Sequence, residues 1–335
     1  MACFSRCEAR GAARSVSILE RHSTPTGALD LPSLRKARSI RPGARIGIAA
    51  PAGPIDSERL SAGEALIREL GFEPVSRPDI LDRSGYLAGS DERRAAELAQ
   101  WVDDPDVAAI WCARGGYGTS RILGMLSPER FRSARKPLVG YSDISSLLFW
   151  QRRRAGLMGI HGPMFDGPGA LSSEAVGSLL YGLTGRGPKP VFSGRAVVGG
   201  RGTGRLIGGS LSLVVASLGT PWEITTSGAI LMLEEVTEAP YRIDRMLDQL
   251  KAAGKFDRVM GVGIGEMTHC EDDRYPERDV ETVLRECLEP LGVPLVFDLP
   301  FGHGGRNLAW PHGARAWIDG DRGELELLES AVSSR

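Results

Sequence analysis

The sequence predicts an α/β protein in which a parallel-sheet domain is followed by a β-rich α+β domain, and three observations carry that prediction. From Arg45 to about residue 161, strand-like and helix-like patterns alternate, as in a parallel sheet covered by helices on both faces. Around residues 167–190 the composition shifts to Gly, Pro and Ser about one short helix, which suits an inter-domain connection. Beyond it the pattern is strand-rich, with only two helical stretches. The expected organisation is an Arg-rich extension over 1–41, an α/β domain over 42–168, a linker over 169–190 and a β-rich domain over 191–330. A chain of 335 residues exceeds what one core usually supports, which agrees with two domains.

The first strand is the apolar run Ile46-Gly47-Ile48-Ala49-Ala50, and a helical pattern over 57–70 follows it. Glu73-Pro74-Val75 reads as a strand, 91–102 as a helix and Val107-Ala108-Ala109-Ile110-Trp111-Cys112 as the next strand. Another helix follows Gly118, Leu138-Val139-Gly140 is a short buried strand, and a helix from Ser142 and a strand over 157–160 complete the alternation. Ligands of such sheets sit at the carboxyl ends of the strands. In the second half strands are expected at 195–198, 206–207, 229–234, 259–264, 295–297, 314–318 and 324–328, with helices over 241–252 and 278–288. No repeat of fixed period occurs.

Charge and composition exclude several classes. The 41 basic and 42 acidic residues give a formal net charge of −1 and form no long blocks, so neither nucleic acid nor an anionic membrane is the expected partner. The longest apolar runs, such as Ala229-Ile230-Leu231-Met232-Leu233, are too short to cross a bilayer. Cys3, Cys7, Cys112, Cys270 and Cys287 make an odd number with no C-x-x-C pair, which argues against a disulfide framework or zinc site and fits a reducing cytoplasm. Residues 1–41 hold seven Arg and one Lys against three acids without periodicity, and read as a disordered or transit-like extension.

Four stretches could carry chemistry. Gly199-Gly200-Arg201-Gly202-Thr203-Gly204-Arg205 fits neither a dinucleotide nor a phosphate-loop spacing and reads as a flexible loop. Arg114-Gly115-Gly116-Tyr117-Gly118 follows a strand directly: it is either a tight turn needing positive φ or a nest of N–H groups facing an anion, and such turns are the commoner case. Gly140-Tyr141-Ser142-Asp143-Ile144 resembles a nucleophile elbow but has Ile144 where the second glycine would stand. Ser142 there is either the N-cap of a helix, with Asp143 complementing the dipole, or a nucleophile served by the Asp143 N–H. A serine nucleophile also needs a histidine held by a carboxylate. His161, His269, His303 and His312 are all available, and spacing does not choose among them; His22 lies in the extension. Glu234 and Glu235 end the most apolar strand of the second half, as orienting acids or as a solvated loop start. Asp244, Arg245, Asp248 and Lys251 read as a solvated helix face.

In chain order, Ile48-Ala49-Ala50-Pro51-Ala52-Gly53, Ala113-Arg114-Gly115-Gly116-Tyr117-Gly118, Gly140-Tyr141-Ser142-Asp143, His161-Gly162-Pro163-Met164, Leu233-Glu234-Glu235, Tyr241-Arg242-Ile243-Asp244-Arg245 and Pro300-Phe301-Gly302-His303 together resemble the LD-carboxypeptidase family of serine peptidases. That family includes murein tetrapeptide carboxypeptidases and microcin-immunity peptidases, and the resemblance spans roughly residues 43–328. It implies a flavodoxin-like N-terminal domain, a β-rich C-terminal domain, no metal or cofactor, and a homodimer. It further implies Ser142 as nucleophile, His303 as general base and Glu234, the first glutamate of the pair, as orienting acid. The backbone N–H groups of Gly116 and Asp143 would form the oxyanion hole, with Arg114 and Gly115 beside them in the binding loop. Where the family commonly has Gly-Gly-Asn-Leu, this chain reads Gly208-Gly209-Ser210-Leu211. The implied reaction releases a terminal D-amino acid from an L,D-peptide such as a murein tetrapeptide. The alternatives are an amidase acting on a peptide–nucleotide antibiotic and a non-catalytic peptide- or nucleotide-binding module. Specificity is expected in the loops 76–90 and 266–277.

Overall fold

Alternating side-chain direction along the first-half strands sorts their apolar residues onto two faces, and this determines the architecture. The structure is a computed structural model that describes residues 34–165 and 171–333. Its first sheet contains β2 (Arg45–Ala49), β3 (Glu73–Val75), β4 (Val107–Cys112), β5 (Leu138–Gly140), β6 (Gly159–His161) and β13 (Trp310–His312), in the order β13-β6-β5-β4-β2-β3. All neighbours are parallel except β13, which runs antiparallel to β6 at the edge. On one face Ile110, Cys112 and Leu138 pack with α2 (Asp91–Asp103), α3 (Thr119–Ile122), α4 (Pro128–Ala134) and α5 (Ser145–Trp150). On the other, Ile46, Ile48, Trp111 and Val139 pack with α1 (Ser57–Glu69) and α6 (Ser173–Thr184). Strands covered on both faces are nearly continuous in apolar character, as their sequences show. Side-chain caps begin the helices: Asp56 accepts from the Arg59 N–H at 2.8 Å, Ser90 from Arg93 at 3.2 Å and Ser172 from Ala175 at 3.1 Å.

The second sheet is mixed and has eight strands, in the order β7-β15-β14-β9-β10-β11-β12-β8. They are β7 (Val191–Ser193), β8 (Arg195–Val198), β9 (Arg201–Ser210), β10 (Ala229–Val236), β11 (Gly261–Thr268), β12 (Leu295–Phe297), β14 (Arg315–Asp319) and β15 (Glu324–Leu327). The strands β9 to β12 are mutually parallel, and the rest pair antiparallel. One face packs α7 (Leu211–Ala216), α8 (Pro240–Ala252) and α9 (Val280–Leu288) through Leu211, Leu247 and Leu284. The opposite face buries Phe301 and Trp310 together with Tyr181 of α6, so β13 and α6 link the two sheets. The α8 face is solvated as expected, with Asp244 bonded to Arg278 at 2.9 Å. Among the described residues no helix is long and apolar enough to cross a membrane.

Three expectations need correction. The glycine tract is not a flexible loop: from Arg201 it is the central strand β9, laddered to both β10 and β14. Its glycines let neighbouring backbones approach, since a Cβ at Gly202 would lie 1.7 Å from the Met260 carbonyl oxygen. The extension expected through residue 41 ends earlier. β1 (Ala37–Arg38) pairs in parallel with β16 (Val332–Ser333), and Ala37 and Ile40 are buried; the extension before Leu34 lies outside the described residues. The strand β13 was not expected, because Trp-Pro-His offers no alternation; at a sheet edge the missing proline N–H costs no ladder bond.

Candidate active site

The first three parallel strands end in loops that meet at their carboxyl ends. The Gly53 N–H donates to the Gly115 carbonyl at 2.9 Å, and Arg114 Nη1 donates to the Pro54 carbonyl at 3.0 Å. Thus the loop after β4 is tied to the loop after β2. In it Gly116 and Gly118 have φ of 105° and 127°, so the tight turn is present, and Gly116 is exposed. The loop 76–90 borders it, with the exposed rings of Tyr86 and Tyr117 meeting edge-on at 5.8 Å.

Ser142 follows β5 directly. It is not the N-cap of a helix: a 3-10 turn spans Ser142–Ile144, α5 begins only at Ser145, and Ser142 itself has φ 58°. A non-glycine residue in this left-handed region is strained by roughly 1–3 kcal/mol, and such residues cluster at functional sites. Glycines elsewhere provide the space that an elbow's second glycine usually gives. A Cβ on Gly115 would lie 2.8 Å from both Ser142 Cβ and Oγ, and one on Gly140 would lie 2.7 Å from Ile144 Cγ2. Ile144 therefore covers Gly140 and is fully buried. Nor does Asp143 serve the α5 dipole. Its buried carboxylate accepts the Thr119 N–H at 2.8 Å, at the start of α3, and so clamps the glycine loop to the Ser142 turn. Burial raises this carboxyl, opposed chiefly by the bond to Thr119.

From the second sheet comes β10. Its register against β11 shifts between Leu233 and Glu235, with the extra residue on β11, where Gly265 and Glu266 lie between the partners Ile264 and Met267, while its pairing with β9 runs unbroken through Glu234. Neither glutamate is solvated. Glu235 is buried and structural, accepting the Ser212 N–H at the head of α7 at 2.7 Å and its neighbour's Val236 N–H at 2.9 Å; burial raises its carboxyl. Glu234 is fully buried and its Oε2 lies 2.7 Å from His303 Nδ1. Its Oε1 has no protein partner, and Ser210 stands opposite it in the β9 register. His303, in the loop after β12, lays its ring 4.8 Å from the ring of Tyr141, the residue before Ser142.

The other histidines sort differently. His161 is fully buried, stacked on Trp310 at 4.7 Å, and pushed down to about 3 by burial. His312 is likewise buried and held well below its usual range by desolvation. Both suit neutral packing roles. His269 is exposed in a turn at φ 54°. Buried Cys270 is pushed up to about 11 by desolvation, and buried Cys112 is raised further by the same cause. Among the described residues no cluster of three His, Cys, Asp or Glu side chains could hold a metal ion. Sequence reasoning missed Thr119 as a clamp partner and Glu266. The latter carried the same signal as Glu234, an acid directly after the apolar run Val262-Gly263-Ile264-Gly265.

Comparison with known proteins identifies the family and the fold. A murein tetrapeptide carboxypeptidase of Pseudomonas aeruginosa is 35% identical over 300 residues, covering 83% of this chain and 94% of that protein. The crystal structure of a muramoyltetrapeptide carboxypeptidase from Oxalobacter formigenes superposes with a TM-score of 0.77 at 28% identity, over 85% of this chain and 98% of that one. The microcin C7 self-immunity protein of Escherichia coli, solved in complex with aspartyl sulfamoyl adenosine, shares the fold with a TM-score of 0.81 at 23% identity, over 89% of this chain and 100% of its own. Residues 46–162 match the LD-carboxypeptidase N-terminal domain and residues 203–318 the LD-carboxypeptidase C-terminal domain, and on these two matches the chain belongs to the LD-carboxypeptidase family of serine-type peptide hydrolases.

Proposed function

We propose that this enzyme releases a terminal D-amino acid from a murein-type tetrapeptide by cutting an L,D-peptide bond, with Ser142, His303 and Glu234 as its triad. The observation that carries the reading is the 2.7 Å bond from the fully buried Glu234 carboxylate to His303 Nδ1, beside a serine held at φ 58°. With Nδ1–H donated to Glu234, the imidazole presents its other nitrogen as a base. Ser142 Oγ attacks the carbonyl carbon as His303 takes its proton. The N–H groups of Gly116 and Asp143 stabilise the oxyanion, and Glu234 stabilises the imidazolium. His303 then protonates the leaving amine of the D-amino acid. Water, deprotonated by the same imidazole, hydrolyses the acyl-enzyme and restores Ser142. Nucleophile and base come from opposite halves of the chain, so the substrate cleft lies between the two sheets.

A second reading is favoured by the fold shared with the microcin immunity protein: an amidase acting on a peptide–nucleotide, with the same three residues. Release of D-alanine from a murein tetrapeptide, assayed beside hydrolysis of an aminoacyl sulfamoyl adenosine, tests both. D-alanine release by the wild type and none by Ser142→Ala supports the first reading. Turnover of the nucleotide alone supports the second, and undiminished release by Ser142→Ala refutes the triad. The free cysteines Cys112, Cys270 and Cys287 agree with a cytoplasmic site of action. The homodimer that the family resemblance implies is tested by light scattering of the full chain.

A further inference from the structure

His303 belongs to no helix or strand, so its position depends on what holds residues 302–306. The bond to Glu234 fixes the ring. A different carboxylate holds the backbone. Glu266, near the end of β11, donates its own N–H to the Phe301 carbonyl at 2.9 Å, and its side chain then lies along the loop. Oε1 accepts the Arg306 N–H at 3.3 Å, and Oε2, buried without a hydrogen-bond partner, lies against Gly304. The fit requires glycine: a Cβ on Gly304 would lie 2.2 Å from Glu266 Oε2. The preceding glycine is flanked by both acids, since a Cβ on Gly302 would lie 3.2 Å from Glu234 Cβ and 3.3 Å from Glu266 Cβ.

The Arg306 guanidinium turns away to Glu174 at 3.2 Å, so Glu266 holds this residue by its amide N–H rather than through an ion pair. On its far side Glu266 borders a cavity of about 490 Å³, where Arg195 is already bonded to Glu281 and Asp298. The titratable groups around it are therefore His303 and Arg306 on the loop, Glu234 from β10, Glu174 from α6, and the Arg195, Glu281 and Asp298 group across the cavity. Burial raises the Glu266 carboxyl, and the backbone of Arg306, then that of Gly304, opposes that rise.

We infer that Glu266 is a positioning residue that latches the His303 loop by accepting the Arg306 amide and packing against Gly304, so that the imidazole stays aligned between Glu234 and Ser142. This rests on His303 being the base, and the test separates the two claims. Steady-state kinetics on a murein tetrapeptide are compared for the full-length wild type, Glu266→Ala, Glu266→Gln and His303→Ala, with thermal unfolding of each. The expected result is a kcat lower by about 10- to 100-fold in Glu266→Ala, the scale of a 1 Å misplacement, with KM within about twofold and the melting temperature within about 3 °C. Glu266→Gln recovers part of the loss, because its amide oxygen still accepts one N–H. Its acid limb moves to lower pH, because a negative charge beside the imidazolium has gone. Wild-type kcat in Glu266→Ala while His303→Ala is inactive overturns this inference alone. So does a joint collapse of kcat and melting temperature that Gln does not relieve. Full activity in His303→Ala overturns the triad instead.

Discussion

Replacing Glu234 by Gln separates catalysis from stability. The carboxylate is fully buried, its Oε2 is 2.7 Å from His303 Nδ1, and its Oε1 has no protein partner. Gln keeps the shape and can still bond the ring, but it removes the charge that stabilises the imidazolium. Its NH2 can also donate to Nδ1, which puts the ring proton on the nitrogen that must accept from Ser142. Loss of an orienting carboxylate in a Ser-His-acid triad costs about 10⁴-fold in kcat, roughly 5.4 kcal/mol at 1.36 kcal/mol per decade. The stability effect has the opposite sign. With a neutral imidazole the buried carboxylate is uncompensated, so Gln should leave the melting temperature unchanged or raise it by about 2 °C. D-alanine release and calorimetry on the same preparation read both. A variant that keeps more than about a tenth of wild-type kcat, with the same pH optimum, refutes the role given to Glu234; a lower melting temperature refutes the stability argument.

Other perturbations follow from single contacts. Ser142→Gly should abolish turnover and raise the melting temperature by about 2 °C, because glycine tolerates φ 58°, whereas Ser142→Ala abolishes turnover without that gain; equal melting temperatures would show that the turn is unstrained. Asp143→Ala releases the Thr119 N–H and loosens the glycine loop, so kcat should fall by about 10-fold or more while the fold persists, as circular dichroism would report. His161→Phe should keep activity within about tenfold of wild type, since the ring is a buried, neutral stacking partner of Trp310; inactivity in a folded variant would reopen the choice of base. Glu97 is a pH probe remote from the chemistry: burial raises its carboxyl from 4.5 to about 7, although it accepts from Arg93 and the Ala50 N–H. The folded chain then binds this proton more tightly than the unfolded one. Its contribution to stability is full below about 4.5 and declines as pH rises to about 7, by on the order of 3 kcal/mol in all. The urea midpoint of wild type relative to Glu97→Gln should fall between pH 5 and pH 8, and a constant difference would contradict it.

Much of the first sheet was legible because its strands are buried on both faces and its helices carry side-chain caps. Val107–Cys112 begins and ends where its apolar run does. Features set by distant contacts were not legible. The tract Arg201–Ser210 lacks the apolar alternation of a strand, yet it lies at the centre of the second sheet. Its glycines answer to the Met260 and Met232 carbonyls of neighbouring strands, which no local pattern reports. Trp310–His312 is a strand only because β6 supplies a partner about 150 residues earlier in the chain.

The site divides along the same line. Local spacing singled out the serine, the glycine loop and the glutamate pair as candidates, each beside a structural alternative, but it could not say why Ile144 replaces a glycine. The reason lies in Gly115, on another strand end, whose missing Cβ leaves the room that Ser142 occupies. Asp143 shows the same dependence, since the sequence suggests a helix-dipole partner whereas the fold gives its carboxylate to Thr119. Strict alternation along β10 is what gives adjacent glutamates different tasks. The pairing with β9 keeps its register through Glu234, so the two side chains leave on opposite faces of the sheet, and the bulge beside them belongs to β11 at Gly265 and Glu266. Glu235 thus caps α7 and Glu234 meets His303, so a one-residue slip of β10 would exchange the two faces and take the carboxylate away from His303.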